Sequence, residues 1–373
     1  MGKNKSNSVK TSDPAGKLGH EFLRKISGGP LGKFWRGPLN RLGHHDNTPI
    51  FIVLIAILAA VVIIEWTVKG SFNFVTPRNL SNILLQVSVT GIFALSMTMV
   101  MVSGGIDLSI GWMMCFLGTG FAYLIRFTGM PEGVVVIIVV AAAITFQLFM
   151  GFIISRTKLE PFIISLGFMS LYRGFTYLIT NGREITIKGR FTFLGSEVFK
   201  FGKDLDPAQQ FSLRVPAILF LLLIIIVWLV IKYTKFGRRL YAVGGNENAA
   251  YLAGINVKNF KLLVYGINGL FVSIASMTLL SRLGTGSPIM GLGKEIDVIA
   301  AVVVGGTALS GGKGNIWGTV IGVVLLGIMS NALNILGVSP HFQYILKGVL
   351  ILGAVLIGYY SSLRTVRKAK RKA

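Results

Sequence analysis

Ten apolar runs of about helix-spanning length, each closed by a polar break, constrain this chain more than any other feature. They cover residues 50–66, 80–102, 108–125, 133–155, 161–180, 215–231, 262–281, 296–310, 315–337 and 341–362. A helix needs about 20 apolar residues to cross the hydrocarbon of a bilayer, and only helices or closed barrels satisfy their backbone groups there. The runs therefore predict an all-α, polytopic membrane protein with about ten spans. The breaks at 103–107 and 311–314 are short and Gly-containing, and read as bends, so broken helices are expected. With 53% of its 373 residues hydrophobic and 14% charged, the chain is not disordered, and an ordinary soluble enzyme is disfavoured.

The formal charge of +23 has a topological origin. With the amino terminus inside, 24 of the 37 Lys and Arg fall in cytoplasmic segments and 11 in external ones, as expected when translocating cations is costly. This reading puts both termini in the cytoplasm and removes the need for a nucleic-acid partner. It divides the chain into a basic tail (1–49), a transmembrane domain (50–362) and a second basic tail (363–373). The lone Cys115 excludes a disulfide framework, and His20, His44, His45 and His341 lack metal-ligand spacing, so no metal or bound cofactor is expected. An internal echo links two stretches. Ser103-Gly104-Gly105 followed by Gly111 recurs as Ser310-Gly311-Gly312 followed by Gly318, an offset of 207 that also lays 133–155 on 340–362. Two related halves are expected, as in many transporters.

The most informative polar stretch is the loop 232–261. Gly244-Gly245 reads as a turn, Asn246 as a helix N-cap, and Glu247 suits the positive helix end. A short helix from Asn248 through Ala249, Ala250 and Ala253 is then stopped by Gly254. Two turns of helix are not stable alone in water, so this one needs a surface to lie against.

The sequence GRRLYAVGGNENAAYLAGINV resembles the cytoplasmic loop of permease subunits of ATP-binding-cassette importers, whose motif is Glu-Ala-Ala, three residues, Gly. Asn248-Ala249-Ala250 and Gly254 match in spacing; Asn248 departs at the Glu position, with Glu247 one residue earlier. SGGIDLSIG (103–111), KLEPFIISLGFM (158–169), EIDVIAAVVVGGTALSGGKG (295–314) and VSPHFQYILKG (338–348) extend the resemblance to the ribose, xylose and galactose branch, over about residues 75–362. It implies a multi-pass subunit of the bacterial inner membrane that imports a monosaccharide, pairs with a second permease, receives sugar from an extracytoplasmic binding protein, and couples to separate ATPase subunits holding ATP and Mg.

The residues agree with that division of labour. A phosphate loop requires Gly, four residues, Gly-Lys-Ser/Thr; around Gly312-Lys313 the pattern fails at Thr307 and at Gly314. The expected coupling residues are Arg238, Glu247, Asn248, Ala249, Ala250 and Gly254. Expected along the sugar path are Ser103, Gly104, Gly105, Asp107 and Ser109 at the break, with Thr98, Phe168, Tyr172 and Asn268 offering the hydroxyls, amide and aromatic faces that sugars favour. Two readings of Asp107 stand together: a group fixing a bend beside the path, and the cap of the next helix. Arg173 and Lys347, inside spans, are expected to snorkel. The alternative to an ATP-driven importer is an ion-coupled secondary transporter, for which Asp107 is the one internal acid on offer; Glu65, Glu295 and Asp297 fall at span edges.

Overall fold

The computed structural model describes residues 48–349 except 71, 203, 205 and 340, together with 352, 353 and 356. Except for 48 and 49, the basic tail 1–49 lies outside the described residues, as does the segment 363–373. The helices are α1 (Thr48–Lys69), α2 (Pro77–Val102), α3 (Ile110–Tyr123, continued as a π turn through Leu124–Thr128), α4 (Glu132–Arg156) and α5 (Pro161–Thr180). They continue as α6 (Val215–Tyr233), α7 (Lys235–Gly245), α8 (Glu247–Leu252), α9 (Val257–Leu283), α10 (Lys294–Val304) and α11 (Ile316–Ile335), and residues 341–349 are again helical. The described residues also include three single-turn 3-10 helices (Asn73–Val75, Phe193–Gly195 and Pro207–Gln209) and four short strands: β1 (Ile185–Thr186), β2 (Glu197–Phe201), β3 (Phe211–Arg214) and β4 (Thr285–Gly286).

Local chemistry sets the helix ends. The Thr76 hydroxyl accepts from the Asn79 amide at 3.3 Å, with Pro77 filling the first helical position where no N–H is needed. Asn256 and Asn315 open α9 and α11 in the same way, accepting from the amides of Asn259 (3.1 Å) and Trp317 (3.0 Å). The Glu65 carboxylate, buried at the end of α1, accepts from the amides of Asn73 (2.8 Å) and Phe74 (2.9 Å) and so fixes the turn into α2.

Among the described residues seven helices are long and apolar enough to cross a membrane: α2, α3 with its π turn, α4, α5, α6, α9 and α11; α1, at 22 residues, has the length as well. α2 is the axis of the bundle, with 19 of its 26 residues buried among α6, α9, α10 and α11. Asn79 and Asn331 exchange a pair of 2.9 Å amide hydrogen bonds that lock the start of α2 to α11. α4 lies along α9, and α5 packs on α3. α4, α5 and α6 turn large apolar side chains outward, among them Ile137, Leu178 and Ile225, where lipid rather than water is the compatible solvent.

One expected span is not continuous helix. The run 296–310 forms only α10, 11 residues long, which at a 1.5 Å rise is about 16 Å, half a bilayer core. It stops at Gly305 because Gly306 follows at φ +89°, with the Gly306 and Thr307 amides turned back onto the Val303 and Val302 carbonyls; α11 meanwhile approaches so closely that a Cβ on Gly305 would stand 2.5 Å from the Gly318 carbonyl oxygen. The chain then runs without helix to Asn315. At the offset of 207, α3 with its π turn falls on α11, and α4 on the helix that includes 341–349. Where α2 is a full helix, the second half carries the shortened α10. At the far end of the bundle β1 pairs antiparallel with β4, Ile185 opposite Gly286, tying the segment after α5 to that after α9. β2 and β3 form a hairpin.

Candidate functional site

At one end of the bundle α7 and α8 make an elbow hinged on the single residue Asn246. α7 buries Gly237, Leu240 and Val243 at helical spacing, and that packing carries the helix through Gly244 and Gly245, where the sequence reading placed a turn. The Asn246 side chain accepts from the Ala249 amide at 2.9 Å and so caps α8. Gly254 ends that helix with φ +81°, a conformation suited to Gly, while the Ile255 amide donates back to the Ala250 carbonyl at 3.0 Å. Ala250 is buried against the rest of the elbow. Tyr251 and Leu252 point the other way, 71% and 85% exposed. Glu247 pairs with Lys261 at 2.5 Å, bracing α8 against the start of α9.

An open groove of about 790 Å³ runs along α8 and is lined by Glu247, Asn248, Leu252, Gly254 and Lys258, with Ser155 of α4. Five of the six expected coupling residues therefore lie on α8 or at its end, in one structure. The sixth, Arg238, lines a separate cavity of about 360 Å³ with Trp228, Tyr241 and Asn315. Burial pushes the Tyr241 phenol above its usual pKa, and its hydroxyl donates to the Gly314 carbonyl at 2.8 Å.

The break between α2 and α3 forms a second centre. Asp107 is fully buried and accepts four hydrogen bonds. Its Oδ1 takes the Ser109 amide at 2.8 Å and the Ser109 hydroxyl at 2.6 Å. Its Oδ2 takes Gln147 Nε2 of α4 at 2.7 Å and Asn268 Nδ2 of α9 at 2.8 Å. Both readings of Asp107 are thereby refined. Ser109 holds the N-cap position of α3, so Asp107 is not itself the cap; it fixes the bend, gathering α4 and α9 onto the break. The Leu108 amide, freed by the bend, donates to Ser165 Oγ of α5 at 3.1 Å. A carboxylate in apolar surroundings is tolerable only when so surrounded by donors, and among the described residues no cation pairs with it.

The other expected path residues fall into separate places. Tyr172 is buried in a ring cluster with Phe116 (6.0 Å between centroids), Phe146 (5.8 Å) and Phe168 (5.9 Å). Thr98 bonds Thr319 across α2 and α11 at 2.7 Å. Ser103, Gly104 and Gly105 end α2 on the side of the elbow; the Ser103 hydroxyl donates to the Val100 carbonyl at 2.7 Å. The two cations inside apolar runs have partners: Arg173, itself exposed, stacks over Trp112 at 5.1 Å, and Lys347 pairs with Asp297 at 2.7 Å. Gln147 escaped the sequence reading; the signal was there, a lone amide in an otherwise apolar span.

Residues 79–355 match the family described as branched-chain amino acid transport system / permease component. Among curated proteins, the chain is 38% identical to a ribose import permease protein of Bacillus subtilis over 321 residues, covering 86% of this chain and 93% of that one. It is 39% identical to a ribose import permease protein of Escherichia coli K12 over 306 residues, 82% and 92% of the two chains. It is 33% identical to a xylose transport system permease protein of Haemophilus influenzae over 363 residues, 83% and 96%. No solved structure matches the chain.

Proposed function

The chain belongs to the branched-chain amino acid transport system / permease component family, and from that membership and its similarity to ribose and xylose permeases we propose that it is the membrane-spanning permease subunit of an ATP-driven monosaccharide importer. It is a transport component rather than an enzyme, and it crosses the membrane many times. Uphill import needs an energy source, and ATP and Mg sit on partner ATPase subunits, which press on the elbow from the cytoplasm. A second permease copy or relative completes the path, and a binding protein delivers sugar on the opposite face. On this reading the membrane is the bacterial inner membrane, and both termini face the cytoplasm.

One observation carries the coupling assignment: α8 is capped at both ends, seated by Ala250, and yet holds Tyr251 and Leu252 almost wholly in the open beside a large groove. Among the described residues nothing covers this Leu at the tip of a braced helix, and it suits an apolar socket on a partner. Ser103, Gly104, Gly105, Asp107 and Ser109 shape the broken helix beside the sugar path; Thr98, Phe168, Tyr172 and Asn268 support that region from within. Alternating access follows when ATP binding favours one of two permease states over the other.

The test is Leu252→Asp. Because this side chain is solvent-exposed, the variant should insert and melt like the parent, while ATPase subunits no longer co-purify and sugar import stops. Undiminished ATPase association and import would refute the assignment of α8.

A further inference from the structure

Behind the elbow, three glycine pairs from three parts of the chain meet backbone to backbone. Gly244 of α7 lies so close to the end of α2 that a Cβ on it would overlap the Val102 carbonyl oxygen, and it would also stand 2.7 Å from the Gly312 amide nitrogen. A Cβ on Gly311 would stand 2.8 Å from Gly104 Cα and 2.9 Å from the Gly244 carbonyl oxygen. On Gly312 it would stand 2.7 Å from Gly245 Cα. The contact is bonded as well as close: the Gly312 amide donates to the Val102 carbonyl at 2.9 Å, and Tyr241, one turn back on α7, donates to the Gly314 carbonyl at 2.8 Å. The two partners of α7 here are the duplicated Ser-Gly-Gly breaks, one from each half of the chain.

We infer that Gly244 is a transmission residue for transport: with Gly311 and Gly312 it forms a side-chain-free joint through which displacement of α7 and α8 reaches the helix breaks of both halves together. The inference rests on the assignment of α8 as the element on which the ATPases act, and deepens it. The physical argument is one of stiffness. Side chains at a contact absorb small displacements by changing rotamer, whereas backbone packed on backbone has no such freedom and moves as a unit. The path from α8 is short, since only Asn246 separates it from α7, and Gly244 is two residues before that hinge. One wedge touching both breaks would switch the two halves in concert, which alternating access requires.

Adjacent glycines supply an internal control. A Cβ on Gly245 would meet nothing within 4 Å, whereas one on Gly244 has no room. The complete importer, with its ATPases and binding protein in inner-membrane vesicles, is to be compared for the parent, Gly244→Ala and Gly245→Ala. The probe is whichever of a panel of radiolabelled pentoses and hexoses the parent imports, and the readouts are ATPase co-purification and sugar imported per ATP hydrolysed. Gly244→Ala should retain the ATPases but lose coupling by about tenfold or more, since overpacking of this kind shifts a two-state balance by that order. Gly245→Ala should match the parent. Normal coupling in Gly244→Ala, or an equal defect in Gly245→Ala, overturns the inference. Should Gly244→Ala fail to insert, Tyr241→Phe decides, because it removes only the bond to Gly314: reduced coupling with ATPases retained supports the joint, and parental coupling refutes it. Failure of the underlying assignment looks different, because it shows as undiminished ATPase association in Leu252→Asp.

Discussion

Removing the Asp107 carboxylate should unravel the break between α2 and α3, and the structure sets the size of the effect. Four donors converge on this side chain at 2.6–2.8 Å, from Ser109 (twice), Gln147 and Asn268. A hydrogen bond to a charged group contributes about 1.5–3 kcal/mol, and a buried donor left without a partner costs about 1–3 kcal/mol. Asp107→Ala strands all four at once. Against that stands the relief of no longer burying an ion, itself several kcal/mol. Subtracting that relief from four stranded donors at about 1–3 kcal/mol each leaves an expected net loss of about 2–5 kcal/mol for Asp107→Ala.

Asp107→Asn should behave differently for a specific geometric reason. The retained carbonyl oxygen still accepts from Ser109, and the introduced amide needs two acceptors where Gln147 and Asn268 now present NH₂ groups. Both residues hold a buried oxygen without a partner among the described residues, Gln147 Oε1 and Asn268 Oδ1, so a half-turn of each amide supplies the acceptors. The cost should then be about 1 kcal/mol, the value of exchanging charged for neutral bonds. The assay is equilibrium unfolding of the purified chain in mixed micelles of rising SDS fraction, followed by far-ultraviolet circular dichroism. An Asp107→Ala variant as stable as the parent, or an Asp107→Asn variant as damaged as Asp107→Ala, would refute the account of this network.

Two further outcomes follow from the packing. A Cβ on Gly111 would overlap Glu295 Oε2 and stand 2.7 Å from the Gly291 carbonyl oxygen, so Gly111→Ala should cost about 1–3 kcal/mol in the same unfolding assay; Gly120→Ala, on the same helix with nothing within 4 Å, should be no less stable than the parent. Among the described residues Lys347→Met leaves Asp297 facing only Lys294, 3.9 Å away, and a double-mutant cycle with Asp297→Asn should return a coupling of about 1 kcal/mol, while a zero coupling would mean that the pair holds nothing together.

Much of the architecture was readable from the chain because a bilayer imposes a one-dimensional rule: about 20 apolar residues make a crossing, whatever they pack against. Eight of the ten apolar runs coincide with helix for this reason, and the described residues of a ninth, 341–362, are helical as well. The elbow helix α8 was legible too, since Asn246 and Gly254 act on backbone groups a few residues away. The run 296–310 has a composition that suits a span, and what cuts it to α10 is Gly306 at φ +89°, a backbone stop that hydropathy does not register.

The same distinction governs the site. Sequence supplied Asp107 as an acid with no business between two apolar runs, and Asn268 as a stray amide. That the two meet 161 residues apart, with Gln147 as third member, was settled only when α4 and α9 packed together around the break. Likewise the Ser-Gly-Gly echo was visible as a repeat, but the meeting of both copies on Gly244 was not, and Gly244-Gly245 reads as a turn until α7 is seen to need the closeness that glycine allows. Hydropathy, caps and spacing act locally along the chain and are written in it; which buried polar groups satisfy one another depends on surfaces brought together from distant segments, and that the folded bundle alone decides.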